Sequence, residues 1–289
     1  MNKLIAIVVS ASLVPCQLFA WGPQGHAVVA GIAGSHLSST TKKNIRLLLG
    51  NDDLAAVCVW ADDIRKQRDE TFGWHFVDIP KDAAGFSQPR DCFRPQDTHA
   101  NAQNGHHNCV VDRIDIFRQV LADPKASRND RIEALKFLVH FVGDIHQPLH
   151  AVDEARGGND IKVTVFGSDK CGNYSCNLHG VWDVSLIEHA GYSEEEYINH
   201  LKDVIKKNKL DRRSLGTPED WANESHDAAR HILGEQSHSI DQFYYQDNIE
   251  MVDERLALAG LRLAALLNDT LGRIPEKRLK RELEKDTYH

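Results

Sequence analysis

Residues 140–150 read HFVGDIHQPLH, and this stretch decides how the chain around it folds. His140 and Asp144 stand four positions apart, so they share one face of a helix. Pro148 ends that helix, because its ring removes a backbone N–H donor and clashes with the preceding turn. His150 follows the break and is free to point in another direction. Buried imidazoles and carboxylates need partners, which makes this stretch a candidate metal site.

Helical periodicity continues on both sides of this stretch. Apolar residues recur at helical spacing in the segments 27–37, 42–49, 54–68, 110–121, 131–145, 194–205, 222–233 and 249–271. Residues 161–166 alternate as a strand does, and a Gly-Ser turn follows them. We predict a mainly α, single compact multi-helix domain over residues 21–289, with at most a small β-hairpin near 161–166. The charged run after about residue 275 is expected to be a solvated, flexible end.

Residues 1–20 have the pattern of a secretory signal peptide. Lys3 supplies a positive charge before an apolar run over residues 4–14, and this run is shorter than the ~20 residues that span a bilayer. Cleavage after Ala20 makes Trp21 the first mature residue. We therefore expect an exported protein, secreted to the medium or held in the periplasm, with no membrane span.

The composition restricts how the chain can bind phosphates. Its formal net charge is −8 with histidines neutral. Nonspecific nucleic-acid binding depends on Lys and Arg contacts that release counterions, so an acidic chain needs a local positive centre instead. Sixteen histidines beside two methionines are typical of metal ligation or proton transfer rather than of core filling.

Five cysteines follow the signal, and in an exported protein they are first interpreted as disulfides. Cys171 and Cys176 flank a short loop, and we predict that they form one pair. Cys92 and Cys109 bracket a loop rich in His and Asn, and we predict that they form the other. Cys58 lies in an apolar run, where a buried thiol is expected.

Three further groups of His and Asp accompany residues 140–150. They are WGPQGH at 21–26, WADDIR at 60–65 followed by HFVD at 75–78, and HGVWD at 179–183. After cleavage the first group offers a free amine, its carbonyl oxygen and an imidazole. Nitrogen and oxygen ligands without thiolates suit catalytic zinc with an open position. We predict metal binding, and a structural hydrogen-bond network is the alternative.

These motifs resemble, in family order, those of the secreted zinc-dependent single-strand nucleases and 3′-nucleotidases, of the nuclease S-one and P-one type. The resemblance covers nearly the whole mature chain. It implies the mainly α fold of the zinc phospholipase C and single-strand nuclease type. It also implies an endonuclease that cleaves single-stranded RNA and DNA to 5′-mononucleotides and that also acts on 3′-mononucleotides. A monomer is the default expectation.

The resemblance implies three zinc ions, whose ligands carry over as three sets. The first set is Asp62, His75, His140 and Asp144. The second shares Asp144 and adds His26 with the amine and carbonyl of Trp21. The third is His150, His179 and Asp183. Three divalent ions against three ligating carboxylates leave a local charge of about +3, the positive centre that the acidic chain needs.

Two choices within these sets rest on the resemblance. Spacing alone leaves Asp63 as an alternative to Asp62. His146, four residues before His150, competes for a ligand role, but the family pattern makes it a hydrogen-bond partner of a ligand. The predicted catalytic residues are Arg65, Asp62 and Asp144.

The resemblance also assigns substrate contacts. Arg65 would lie beside the phosphate. Phe76 and Asp78 would stack on and hydrogen-bond a nucleobase, with Asn159 assisting. A base stacked in this way must be unpaired, which favours single strands. Phe76 as a core aromatic residue and Asn159 as a turn cap are the plain alternatives.

Two other functions stay open. A zinc-dependent phospholipase C shares the fold and the N-terminal Trp ligand. A secreted zinc-binding protein without catalysis would keep the metal ligands but would have no need of Arg65, Phe76 and Asp78.

Overall fold

The computed structural model describes residues 21–93, 108–234 and 238–285, and the predicted signal peptide lies outside these ranges. The α-helices are α1 Pro23–His36, α2 Ser39–Leu49, α3 Trp60–Arg65, α4 Gln88–Asp91, α5 Val110–Ala122, α6 Arg128–Asp144, α7 Leu178–Gly180, α8 Leu186–His189, α9 Glu194–Asn208, α10 Pro218–Gly234, α11 Gln242–Thr270 and α12 Glu276–Lys285. Segments of 3-10 helix cover Ala55–Val57, Asp69–His75, Pro148–Ala151 and Leu210–Arg213, and a π-helical segment, Val181–Ser185, joins α7 to α8. The strands are β1 Thr164–Val165, β2 Lys170–Cys171, β3 Tyr174–Ser175 and β4 Ser239–Ile240.

The mainly α prediction is confirmed, and seven of the predicted helical segments appear as single helices. Most of these helices begin several residues before the first apolar residue of the predicted segment, because capping residues determine where the first turn starts. Ser38 accepts a hydrogen bond from the Thr41 backbone at 3.1 Å before α2, and Ser127 forms a capping box with Asp130 before α6. α10 begins at Pro218, whose fixed φ suits a first helical turn.

The predicted helix over 54–68 is divided into a 3-10 turn and α3, and the cause lies in the site. The Cys58 carbonyl accepts a hydrogen bond from His140 Nδ1 at 2.7 Å instead of from an amide one helical turn later. The amide of Asp62 donates to the Val59 carbonyl at 3.1 Å, and Val59 is the residue that caps the start of α3. The break is therefore part of how this segment meets α6.

The short strands also pair differently from the prediction. β1 pairs in parallel with β4, with Thr164 opposite Ser239. The antiparallel hairpin is formed by β2 and β3, just after the predicted position. The turn after residues 161–166 closes with a single Val165 to Ser168 bridge, because Phe166 and Gly167 both adopt positive φ and turn the chain sharply.

The charged run after residue 275 differs from the expected flexible end, because it forms α12. Leu279 and Leu283 are one helical turn apart and are buried. Arg131 of α6 contacts Glu282 at 3.1 Å. The charge of this run predicts a solvated end, whereas its two leucines at helical spacing indicate a docked helix.

Both predicted disulfides, Cys92–Cys109 and Cys171–Cys176, are present. Cys58 is a buried free thiol, and burial raises its pKa to about 12, so the thiol stays protonated and unreactive. Within the described ranges, no helix combines the length and the apolar character that crossing a membrane requires.

The site lies at the C-terminal end of α6. α6 is buried on all sides over its second half, and its last residue, Asp144, is fully buried. α1 packs against α11, and a Cβ added at Gly260 of α11 would lie 2.5 Å from Ile32 of α1. This close approach fixes α1, which carries the first motif of the site.

We expect Gly260→Ala to lower the free energy of unfolding by about 1–3 kcal/mol, because the added methyl group overpacks the α1–α11 contact. The matched control is Gly34→Ala, since no atom lies within 4 Å of a Cβ at Gly34 of α1. This control should be neutral or should stabilise by up to about 1 kcal/mol. Urea denaturation of both variants checks the difference, and equal stabilities would show that the helices do not pack this closely.

Candidate metal centre

Four elements bring five side chains together at the C-terminal end of α6. His26 comes from α1, Asp62 from α3, His75 from the end of a 3-10 segment, and His140 and Asp144 from α6. All five are buried. We call this set the Asp144 cluster, and it unites residues that are up to 118 positions apart in sequence (144 − 26).

Asp144 is the centre of this cluster. Its Oδ1 lies 3.3 Å from Nε2 of both His26 and His140, and its Oδ2 lies 2.9 Å from His75 Nδ1. Asp62 approaches from the other side, with Oδ2 3.6 Å from His140 Nε2. Two carboxylates and three imidazoles therefore converge on one small volume.

A second group, the Asp183 cluster, consists of His150, His179 and Asp183. His150 belongs to the 3-10 turn that Pro148 begins. His179 Nε2 lies 3.3 Å from Asp183 Oδ2, and His150 Nε2 lies 3.9 Å from Asp183 Oδ1. His179 and Asp183 are four residues apart in sequence. This spacing keeps their ligand atoms close, although the chain changes from α7 to a π-helical segment between them.

Backbone carbonyls orient three of the imidazoles from behind. Each Nδ1 donates one hydrogen bond of 2.7 to 2.9 Å, from His140 to Cys58, from His150 to His75, and from His179 to Gly157. These bonds fix the tautomer, so that each Nε2 carries a lone pair toward its cluster. The backbone thus sets the orientation of these three rings.

Gly157 is required by this arrangement. Its φ is +62°, and a Cβ there would lie 2.4 Å from the Leu149 carbonyl. Only glycine allows the chain to pass so close to Leu149 while its own carbonyl accepts from His179. This accounts for the Gly-Gly pair that precedes Asn159.

The donor atoms of both clusters fit a cation. Within the described chain, His140 Nε2, His150 Nε2, Asp144 Oδ1 and both oxygens of Asp62 are buried without a hydrogen-bond partner. Each such group costs about 1–3 kcal/mol when nothing satisfies it. Their residues belong to three groups of three, two in the Asp144 cluster and one that is the Asp183 cluster, and in each group one ligand atom per residue lies within 4.8 Å of the others. The residues present can therefore bind metal ions.

Burial dominates the protonation of these groups. It raises the pKa of Asp144 and Asp183 well above the usual range and lowers the pKa of His150 well below it. Burial likewise lowers the pKa of His179 to about 4. The imidazoles are therefore neutral near pH 7, which is the form that ligates metals. A nearby cation favours the ionised carboxylates that burial alone disfavours.

Trp21 lies against both clusters. It is buried, and the backbone N–H of Gly22 donates to the Asp183 carbonyl at 2.7 Å. A Cβ added at Gly143 would meet His26 Nδ1 at 2.8 Å and Trp21 Cδ1 at 3.8 Å. The first residue of the predicted mature chain is thus packed between α6 and the segment that carries Asp183.

A cleft opens over the clusters and contains every predicted substrate contact. The side chains that line it include Arg65, Phe76, Asp78, Asn159, His75, His150 and His179. Arg65 Nη2 lies 3.5 Å from Asp62 Oδ1, and its side chain is 15% exposed. The cationic group therefore reaches the floor of the cleft beside the Asp144 cluster.

The structure distinguishes between several alternatives that the sequence left open. Asp62 points into the cluster, whereas Asp63 is 65% exposed and pairs with Lys66 at 3.4 Å. Phe76 is half-buried and lines the cleft rather than the core. Asn159 lines the cleft and also caps its turn, because Nδ2 donates to the Arg156 carbonyl at 2.8 Å.

His146 lies outside both clusters. Its Nδ1 donates to the Val142 carbonyl at 2.7 Å, and its Nε2 accepts from Arg262 at 2.9 Å. Arg262 also pairs with Glu224 at 2.7 Å. This buried network supports the chain at the end of α6. Within the described residues, the His146 side chain makes these bonds instead of the expected hydrogen bond to a residue of either cluster.

Gln147 and Phe72 are among the residues of the site that the sequence analysis does not identify. Gln147 is fully buried, and its Nε2 donates to Asp183 Oδ1 while its Oε1 accepts from the Leu149 amide at 2.5 Å. Phe72 lines the cleft and meets Phe76 edge to face at 5.7 Å. The position of Gln147 between a helix end and Pro148 was the available signal, and nothing in the sequence distinguished Phe72.

Comparison with known proteins identifies relatives of this chain. Residues 21–272 match the family described as S1/P1 Nuclease. The chain is 34% identical to Endonuclease 4 of Arabidopsis thaliana, with 86% of this chain and 88% of that protein covered. It is 32% identical to Endonuclease 3 of the same plant, covering 92% and 93%. It is 30% identical to Nuclease S1 of Aspergillus oryzae, covering 93% and 98%.

We expect Gln147→Leu to weaken metal binding at the Asp183 cluster by about 10–100-fold, because Asp183 loses the donor that orients its carboxylate. Competition with a zinc-binding dye measures the affinities. Gln119→Leu, at an exposed position of α5, is the control and should bind as the unmodified protein does. An unchanged zinc affinity in Gln147→Leu would show that the Asp183 carboxylate is oriented without the hydrogen bond from Gln147.

Proposed function

Because the chain belongs to the S1/P1 nuclease family and is a hydrolase of phosphodiester bonds, we propose that it is a zinc-dependent endonuclease acting on single-stranded RNA and DNA. It releases 5′-mononucleotides and also removes the phosphate of 3′-mononucleotides. One observation supports this most strongly. A single cleft joins the two buried metal-binding clusters to an arginine and to an aromatic wall that can hold a base.

The two clusters hold three zinc ions in this proposal. The Asp144 cluster takes two, of which one uses His26 and the amine and carbonyl of Trp21. The Asp183 cluster takes the third. Removal of residues 1–20 on export supplies the free amine, and the buried position of Trp21 beside His26 supports this assignment. When bound, zinc supplies Lewis-acid stabilisation of the phosphate charge and activates water as the nucleophile.

Arg65 holds the phosphate in position over the floor of the cleft. Its guanidinium is fixed between Asp62, at 3.5 Å, and the ring of Phe72, at 5.7 Å. A guanidinium held in advance stabilises developing negative charge on phosphate oxygens without the cost of reorganising during the reaction. Its burial beside a hydrophobic ring strengthens that interaction, because the local dielectric is lower than in water.

Phe76 selects unpaired bases. Its ring lines the cleft and packs edge to face with the ring of Phe72, with the two centroids 5.7 Å apart. A base can stack on this ring only when it has left the helix of a duplex, so double strands are poorer substrates. Asp78 lines the same cleft and can accept hydrogen bonds from a base edge.

The direct test is release of acid-soluble nucleotides from single- and double-stranded DNA by protein that begins at Trp21. We expect faster release from single strands, products with 5′-phosphates, loss of activity with a chelator and recovery with zinc. Equal rates on both substrates would contradict the role of Phe76. Hydrolysis of phosphatidylcholine without nucleotide release would instead indicate the phospholipase C that shares this fold.

The shared position of Asp144 gives a second prediction. Asp144 contacts three imidazoles, whereas Asp183 contacts two. Asp144→Asn should therefore lose more bound zinc than Asp183→Asn, as measured by elemental analysis of the purified variants. The exposed Asp63→Asn, adjacent to a ligand, should retain all of its zinc. Equal losses in the first two variants would contradict a bridging role for Asp144.

A further inference from the structure

The cleft contains a second arginine that the proposed mechanism does not use. Among the described residues that line the cleft, Arg65 and Arg156 carry permanently charged guanidinium groups. Arg65 lies at the floor, where its side chain is 15% exposed. The side chain of Arg156 is 69% exposed and lies at the rim. At these different depths, the two arginines meet different parts of a bound substrate.

The backbone holds Arg156 in a fixed relation to the Asp183 cluster. Ala155 and Arg156 both adopt left-handed φ, at 48° and 55°, and two glycines continue the turn. Non-glycine residues keep this conformation only where the surrounding contacts enforce it. Here the Arg156 carbonyl accepts from Asn159 at 2.8 Å, and the next carbonyl, of Gly157, accepts from His179 at 2.7 Å. The turn that carries Arg156 is thus anchored to a metal-binding residue.

The present partner of Arg156 is easily exchanged. Its Nη1 lies 3.5 Å from Asp160 Oδ1, and that carboxylate is 56% exposed. Exposed pairs of this kind contribute little to stability, so the guanidinium can turn to a phosphate at small cost. Asp153 also lines the cleft, so this turn is not a broad basic surface. The turn that carries Arg156 therefore has the charge to bind one phosphate group rather than several.

We propose that Arg156 binds the phosphate adjacent to the scissile one in a single-stranded polynucleotide. The inference rests on the proposed function and extends it, because it separates polymers from mononucleotides as substrates. A 3′-mononucleotide has one phosphate, which lies at the metal clusters beside Arg65, so none is left for Arg156. A polynucleotide has further phosphates, and one of them reaches the rim. Arg156 thereby lowers the KM of polymers and leaves chemistry at the floor unchanged.

The test compares Arg156→Ala with the unmodified protein on single-stranded DNA and on adenosine 3′-monophosphate. For DNA we expect KM to rise about fivefold, the effect that an exposed charge contact supports, with kcat unchanged. The dependence of log(kcat/KM) on log salt concentration should become shallower by about 0.7, because one phosphate contact is lost. KM for adenosine 3′-monophosphate should stay the same.

Two further variants give the test its controls. Arg156→Lys should keep most of the DNA affinity, since the lysine ammonium group also binds phosphate, although without the planar geometry of a guanidinium. Arg118→Ala removes an arginine of α5 that is also exposed, pairs with Asp115 at 3.3 Å and lies outside the lining of the cleft. Its kinetics on both substrates should equal those of the unmodified protein.

Several results would overturn the inference. An unchanged KM for DNA in Arg156→Ala, with the unmodified protein active, contradicts it alone and leaves the proposed function standing. Equal rises in KM for both substrates with an unchanged salt dependence would place Arg156 on the nucleotide at the metal centre. Absence of cleavage by the zinc-loaded unmodified protein would contradict the proposed function and this inference together.

Discussion

The buried carboxylate of Asp144 is the constraint on which the rest of the structure depends. It is fully removed from solvent at the end of a buried helix, and three imidazoles contact it. A carboxylate in such surroundings is stable in its charged form only beside positive charge. Since the pKa values of the imidazoles are lowered by burial, they do not supply it. A bound cation would supply that charge, and metal binding would then be linked to the stability of the fold.

The chain is interrupted wherever it serves this centre. The helix predicted over 54–68 breaks at Cys58, whose carbonyl accepts a hydrogen bond from His140. α6 stops at Asp144, four residues before Pro148, and the following turn aims His150 at the second cluster. Gly157 takes a left-handed conformation so that its carbonyl can hold His179. In each case a backbone group leaves regular structure in order to orient a ligand, as is expected at functional sites.

Local patterns predicted much of this arrangement, and long-range contacts account for the remainder. The spacing of His140 and Asp144, and the break at Pro148, follow from helix geometry and were predicted correctly. The choice of Asp62 over Asp63 depends on which way α3 faces after the break, which spacing does not contain. Gln147 gains its role only because residue 183 is folded against it. The pairing of β1 with β4 joins segments 75 residues apart (239 − 164), beyond the range of an alternation pattern.

The most direct test of the metal centre is anomalous scattering at the zinc edge from crystals of protein that begins at Trp21. We expect three peaks, two of them beside Asp144 and one between His150, His179 and Asp183. This result would join the N-terminal residue, the end of α6 and the His-Asp pair at 179–183 into one catalytic site. A crystal grown with zinc that shows no peak beside Asp144 would contradict the claim that this buried carboxylate exists to hold metal.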